Sequence, residues 1–253
     1  MLFSPFEIIK IAWKIYTENF KLFVRVTVWG LLPAIALAVV ALANQLLGVA
    51  FYNYGLLLYL AFSALSAIIL IWIQLVLLRL VNGSVTHQTI NLKETKSLAW
   101  HDIVSYFWVS VLTSIVVALG FLAFIIPGVI FGIWFAFGTT IFALYHVKGR
   151  AALSQSKALV TGRWWKVFWR VVIPYGLYVL AIAGATILIE LALGAPNGFK
   201  ELQTYTGPWW SSIAEAIPSL LFLPLGSAVL VTVLHDLEAH KNESPAIPTP
   251  PTP

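Results

Sequence analysis

Residues 104–147 read VSYFWVSVLTSIVVALGFLAFIIPGVIFGIWFAFGTTIFALYHV. A helix crosses the roughly 30 Å hydrocarbon core of a bilayer with about 20 apolar residues, so this run is far too long for one crossing. Pro127 and Gly128, inside the segment IIPG, suit a tight turn and divide it. The division predicts a helical hairpin with spans at 104–126 and 128–147.

The same criterion, applied outward, finds apolar runs at 22–45, 54–80, 168–194 and 211–236. The expected fold is therefore all-α, a polytopic membrane protein with six transmembrane helices over residues 1–239. Composition agrees. With 60% hydrophobic and 10% charged residues, and a mean hydropathy of +0.90, too little polar surface exists to cover a water-exposed globule of 253 residues. The first run ends in Ala41-Leu42-Ala43, which looks like a cleavage site. About 25 residues precede its apolar core, however, whereas a signal peptide has a short basic leader, so a retained span is expected.

Charge predicts orientation. Lys10, Lys14, Lys21 and Arg25 precede or open span one, and Arg79, Lys93 and Lys96 surround the loop between spans two and three. Lys148, Arg150, Lys157, Arg163, Lys166 and Arg170 lie between spans four and five, Lys241 is in the tail, and only Lys200 falls on the opposite side. Cations collect in cytoplasmic loops, which places both termini in the cytoplasm. The absence of cysteine excludes disulfides, thiolate metal sites and cysteine nucleophiles.

The basic side carries its own helices. Ser4-Pro5-Phe6-Glu7 fits a capping box with proline at the first helical position. Beyond it Glu7, Lys10, Lys14, Glu18, Lys21 and Arg25 keep to one face, while Phe6, Ile9, Trp13, Tyr16 and Phe20 fall elsewhere, which predicts an interfacial amphipathic helix over 5–20 that leads into span one. LKETKSLAWHDI, residues 92–103, reads as a weaker entry of the same kind before span three. In ALSQSKALVTGRWWKVFWRV, residues 152–171, two cationic stripes would face opposite ways in one unbroken helix. Gly162 resolves this as a helix end, after which span five restarts at a new rotation. Trp164, Trp165 and Trp169 then fall at headgroup depth, with Lys166 and Arg170 able to snorkel. KLFVRV at 21–26 echoes KVFWRV at 166–171, so an amphipathic entry followed by a hairpin reads as a repeating unit of parallel topology. The proline-rich tail, 240–253, is expected to be disordered.

Residues 124–173 carry a family resemblance. The Pro127-Gly128 turn, the following span, the small-residue pattern Ala152-x-x-x-Ser156, and Gly162 with Trp165 before the next span resemble a bacterial membrane domain named for glycerophosphoryl diester phosphodiesterases. The resemblance implies a six-span layout and, in the named enzymes, a separate soluble catalytic domain. No stretch of this sequence reads as such a domain, so the family's chemistry is not expected here, and neither is a cofactor.

The search for chemistry returns little. The five histidines show no metal-ligand spacing; His235, Glu238 and His240 form the nearest cluster, followed by His101-Asp102. No nucleophile elbow or phosphate-binding glycine loop occurs. Ionisable groups inside spans point to transport sites, and Glu190 and Glu215 are the candidates for a cavity between spans five and six. Pro174, Pro218 and Pro224 should bend that pair. Nucleic acid is an unsuitable partner, because the cations sit in membrane anchors and no binding motif accompanies them.

Membrane lipids with anionic headgroups are the expected partner. Lys148 to Arg170 is rich in cations and free of acids, with up to about 1 kcal/mol expected per cation near an anionic surface. Lys157, Arg163, Lys166 and Arg170 are the headgroup candidates. The competing explanation is that these cations only set topology. The expected function is that of a non-enzymatic protein of the bacterial cytoplasmic membrane that interacts with lipid or scaffolds a partner, with a small-solute or lipid transporter as the alternative.

Overall fold

A computed structural model describes residues 2–47, 52–88, 90–193 and 208–240. These residues are all-α, with no strand among them. Six helical stretches are long and apolar enough to cross a membrane: Phe20–Leu47, Tyr54–Val85, Leu92–Ala123, Ile125–Tyr145, Trp164–Ala192 and Ser211–Ala239. The chain is a polytopic membrane protein. The expected tail lies outside the described residues except for His240, as do Lys200 and Lys241.

Helix α1 (Pro5–Glu18) starts where its sequence says it should. The Glu7 amide donates to the Ser4 hydroxyl at 3.2 Å, and the Ser4 amide donates to the Glu7 carboxylate at 2.6 Å, closing the capping box. The helix ends two residues before the expected boundary at 20. Asn19 breaks it, and α2 (Phe20–Thr27) then leads through a single 3-10 turn, Val28–Gly30, into α3 (Leu31–Leu47).

The helix α4 (Tyr52–Val85) is about 51 Å long at 1.5 Å per residue, and α5 (Leu92–Ala123) is nearly as long. Here expectation and structure part. LKETKSLAWHDI is no separate entry helix but the first three turns of α5, because nothing between Leu92 and Ile103 breaks a helix once Asn91 has capped its start. The turn between spans three and four is also displaced. Phe124 alone is extended, at φ −168° and ψ 161°, and Pro127 and Gly128 lie inside the first turn of α6 (Ile125–Phe135). A proline there gives up an amide that would lack a partner anyway.

Close approach keeps α5 and α6 together. A Cβ on Gly120 would come 2.9 Å from the Gly128 Cα, and one on Gly128 would run into the Phe121 ring. The second half of this span is a separate helix, α7 (Gly138–Tyr145), followed by α8 (Gly149–Val160). Gly162, at φ +83°, then turns the chain into α9 (Trp164–Ala192). The last helix, α10 (Ser211–Ala239), runs on through Pro218 and Pro224 and is the most buried of the long helices.

Contacts fix how these elements meet. Arg170 lies level with Asp236, and Tyr175 with Gly226, so α9 and α10 are antiparallel neighbours. On the other flank of α10, Gln74 meets Ser227 and Asn82 meets His235, so α4 runs parallel to it. The α4 and α5 pair is different. Trp72 meets Lys96 and Trp100, yet Arg79, two turns further along α4, meets Asp102 rather than returning toward the start of α5. The two helices therefore cross steeply, near the fully buried Val76 and Ala99.

The expected interfacial helix does not lie apart from this bundle. One end of α1 is tied by the Phe3 amide to Asp236, and the other by the Tyr16 hydroxyl to the Leu221 carbonyl at 3.2 Å. Those anchors span about 22 Å of α10. Ile8, Ala12, Ile15 and Tyr16 are buried against the bundle, leaving Phe6, Trp13 and the lysines outside.

Candidate functional site

The start of α9 and the ends of α4, α7 and α10 meet at one end of the molecule, which we call the basic end; α1 begins there, and its last turn, with the start of α2, flanks the end of α4. Its framework is built from polar groups that close off helix breaks. Between α6 and α7 the Phe137 amide donates to the Ser156 hydroxyl at 3.2 Å, and that hydroxyl donates to the Trp134 carbonyl at 2.7 Å. One buried serine thus serves both sides of the break, as a buried backbone group requires. Ala152, equally buried one turn earlier, keeps α8 close enough for this. The Ala152 to Ser156 pattern has a packing role that spacing alone did not reveal.

A second framework joins three helices through charge. Arg79 pairs with Asp102 and donates from Nε to the Ala143 carbonyl at 3.1 Å, while His146 Nδ1 lies 3.4 Å from the same carboxylate. Nearby, Tyr145 donates to Glu238 at 2.7 Å, and His235 Nε2 is 2.7 Å from Asn82 Oδ1. His235 and Glu238, the histidine and acid that came closest to a ligand pair in the sequence, approach to 3.9 Å, with each also held by another helix. Among the described residues no three His, Asp or Glu side chains converge as metal ligands would.

The four headgroup candidates separate into two kinds. Arg170 donates from Nε to the Phe3 carbonyl at 2.6 Å, from Nη2 to the Leu2 carbonyl at 3.2 Å and from Nη1 to the Lys166 carbonyl at 2.7 Å. Arg163 donates from Nη1 to the His240 carbonyl at 3.1 Å, at the end of α10. Both guanidinium groups are thereby engaged in fastening chain segments. Lys157 and Lys166 are exposed, and Lys157 Nζ stands 4.5 Å from the centre of the Trp134 ring. The fork geometry of arginine suits carbonyl clamps, whereas lysine extends a point charge into its surroundings.

The basic end is also aromatic on its outside. Phe6 and Trp165 are each 67% exposed, and Trp13 and Trp169 are each 51% exposed. Exposed Lys10 and Lys14 share α1 with Phe6 and Trp13, and exposed Lys166 shares α9 with Trp165 and Trp169. A water-facing surface does not normally display several large rings beside cations, whereas a membrane interface favours both.

At the opposite end, Glu190 on α9 and Glu215 on α10 come within electrostatic reach of each other. Between Tyr175 and Leu193 no residue of α9 is buried. Two cavities, of about 350 Å³ and 580 Å³, open instead around the junction of α1 and α2, and neither is lined by these glutamates. Sequence reasoning missed two contributors: Asp236, whose side chain is fully buried at the anchor of Phe3, and the junction itself. Comparison with known proteins adds nothing further, since no family model, curated protein or solved structure matches the chain.

Proposed function

We propose that this chain is a non-enzymatic protein of the bacterial cytoplasmic membrane whose basic end faces the cytoplasm and engages anionic lipid headgroups, serving there as a lipid-interacting scaffold. Membership of the membrane-domain family that residues 124–173 resemble belongs to the same proposal. The observation that carries it is the exposed belt of Phe6, Trp13, Trp165 and Trp169 beside exposed Lys10, Lys14 and Lys166. Indole and phenyl rings settle at headgroup depth, and lysines at that depth gain from a negatively charged surface. The prevalence of cations at this end supports its cytoplasmic placement by the positive-inside rule.

The test replaces Lys10, Lys14, Lys21, Arg25, Lys157 and Lys166 by Gln and leaves Arg163 and Arg170, which fasten the chain, untouched. Native mass spectrometry then compares retained phosphatidylglycerol and phosphatidylcholine. Loss of the anionic lipid alone supports the reading; unchanged retention by a folded variant sinks it.

The alternative, a small-solute or lipid transporter working between α9 and α10, draws support from two carboxyl groups, Glu190 and Glu215, close enough on these helices to influence each other electrostatically. Its test is uptake into proteoliposomes by the wild type and by Glu190→Gln and Glu215→Gln variants. Uptake that requires both carboxyl groups would favour transport over scaffolding.

A further inference from the structure

The two basic openings with related sequence are used differently. In KVFWRV, Arg170 is committed to three backbone carbonyls. In KLFVRV, the matching Arg25 is exposed, as is Lys21, and neither forms a hydrogen bond or ion pair among the described residues. Both line the open cavity of about 580 Å³ at the junction of α1 and α2, together with Thr17, Asn19 and Phe20. Glu18 also borders it, but its carboxylate lies 3.8 Å from Lys14 Nζ, so the rim retains a net positive charge. The first turn of the eight-residue α2 opens at the same place and adds partial positive charge.

A second feature separates a lipid from a soluble anion. From the cavity an exposed apolar stripe continues along the span through Phe20, Val24, Val28, Leu32, Ile35 and Val39. These steps of three and four residues keep to one helical face. A phosphate held at Lys21 and Arg25 would leave an attached acyl chain beside that stripe.

We propose that Lys21 and Arg25 form a headgroup site for an anionic phospholipid, whose acyl chain lies along the stripe that starts at Phe20. The proposal rests on the reading that the basic end engages anionic lipid, and it assigns that engagement to the first opening rather than to residues 157–170. Thr17, at the rim, turns its hydroxyl proton to the Trp13 and Lys14 carbonyls at 3.0 Å, so its oxygen faces the cavity as an acceptor only. The two cations supply the charge.

The test uses the full chain in detergent with added phosphatidylglycerol, phosphatidylcholine or inorganic phosphate, read by native mass spectrometry. Lys21→Gln with Arg25→Gln should weaken phosphatidylglycerol retention by about tenfold or more. Lys157→Gln with Lys166→Gln should leave it near the wild-type level. Retention lost only in the second pair overturns this assignment while preserving the broader reading, and no preference for anionic lipid in the wild type overturns both. Competition by millimolar inorganic phosphate alone would identify a soluble-anion site and overturn the lipid assignment. Should the Gln pair fail to fold, a photo-crosslinking residue in place of Phe20 gives the answer in an otherwise unchanged chain. Adducts enriched in phosphatidylglycerol over its share of a mixed bilayer support the site, and adducts in proportion to the bilayer overturn it.

Discussion

Arg170 and Asp236 grip the two sides of one residue: the Phe3 carbonyl accepts from Arg170 Nε at 2.6 Å, and the Phe3 amide donates to Asp236 Oδ2 at 3.0 Å. The start of the chain is thereby fastened between α9 and α10, and α1 is set on its course along the bundle. Asp236→Ala should destabilise the protein by about 2 kcal/mol, since it takes the acceptor from the Phe3 amide and removes the carboxylate charge that faces Arg170 and His240. Arg170→Lys keeps the charge but loses the fork, and should loosen residues 2–8 more than the core. Thermal unfolding together with hydrogen exchange of α1 measures both; an unchanged melting temperature for Asp236→Ala would remove the clamp from the account.

Ser156 predicts a second cost. Its hydroxyl serves the Phe137 amide and the Trp134 carbonyl at the break in span four. Ser156→Ala leaves both groups buried without this partner and should cost about 2 kcal/mol. Ala152→Leu should do at least as much harm by pushing α8 off the break. Equal stability of Ser156→Ala and wild type in chemical denaturation would contradict this role.

Two glycines in similar surroundings by sequence should behave oppositely. At Gly120 a methyl group meets the backbone of Gly128, which cannot move aside cheaply, and Gly120→Ala should destabilise by about 1–3 kcal/mol. At Gly184 a methyl group meets nothing within 4 Å, and Gly184→Ala should stabilise α9 by about 0.5–1 kcal/mol through helix propensity. Melting temperatures moving in opposite directions are the expected result.

The capping box gives α1 a dependence on pH. Bonds from the Ser4 amide and then the Ser4 hydroxyl hold the Glu7 carboxyl below its ordinary value. Because the folded pKa is lowered, the stabilisation is complete above the ordinary carboxylate value of about 4.3 and is lost as pH falls through the lowered one. Amide exchange at residues 5–8, corrected for intrinsic rates, should rise over that acidic window. Glu7→Gln should show a flat profile.

Where a local residue decides the structure, the sequence was readable. Ser4 and Glu7 announced their capping box, and Gly162 announced the turn that its positive φ now displays. The all-α, many-span architecture followed from hydropathy alone. Local signals misled where a helix had reason to continue. The charged start of α5 looked like a separate entry, yet no residue there stops a helix, and Pro127 looked like a turn although a first helical turn accepts proline.

Long-range ties were illegible for a different reason. Arg170 looked like a free cation because its partners are carbonyls of Leu2 and Phe3, which carry no signature in the side-chain sequence. Ser156 looked like a small helix-packing residue because the break it serves, near Ala136, contains no proline. Lys21 and Arg25 were read as topology signals, since nothing in their spacing told of a cavity.

Thermal unfolding of the wild-type protein in bilayer nanodiscs reports whether the basic end engages anionic lipid. Phosphatidylglycerol and phosphatidylcholine discs with the same acyl chains are compared at low and high salt. If the basic end binds anionic headgroups, the melting temperature is higher in the anionic disc, and the difference shrinks as salt screens the contacts. Equal melting temperatures in the two discs at low salt would contradict it.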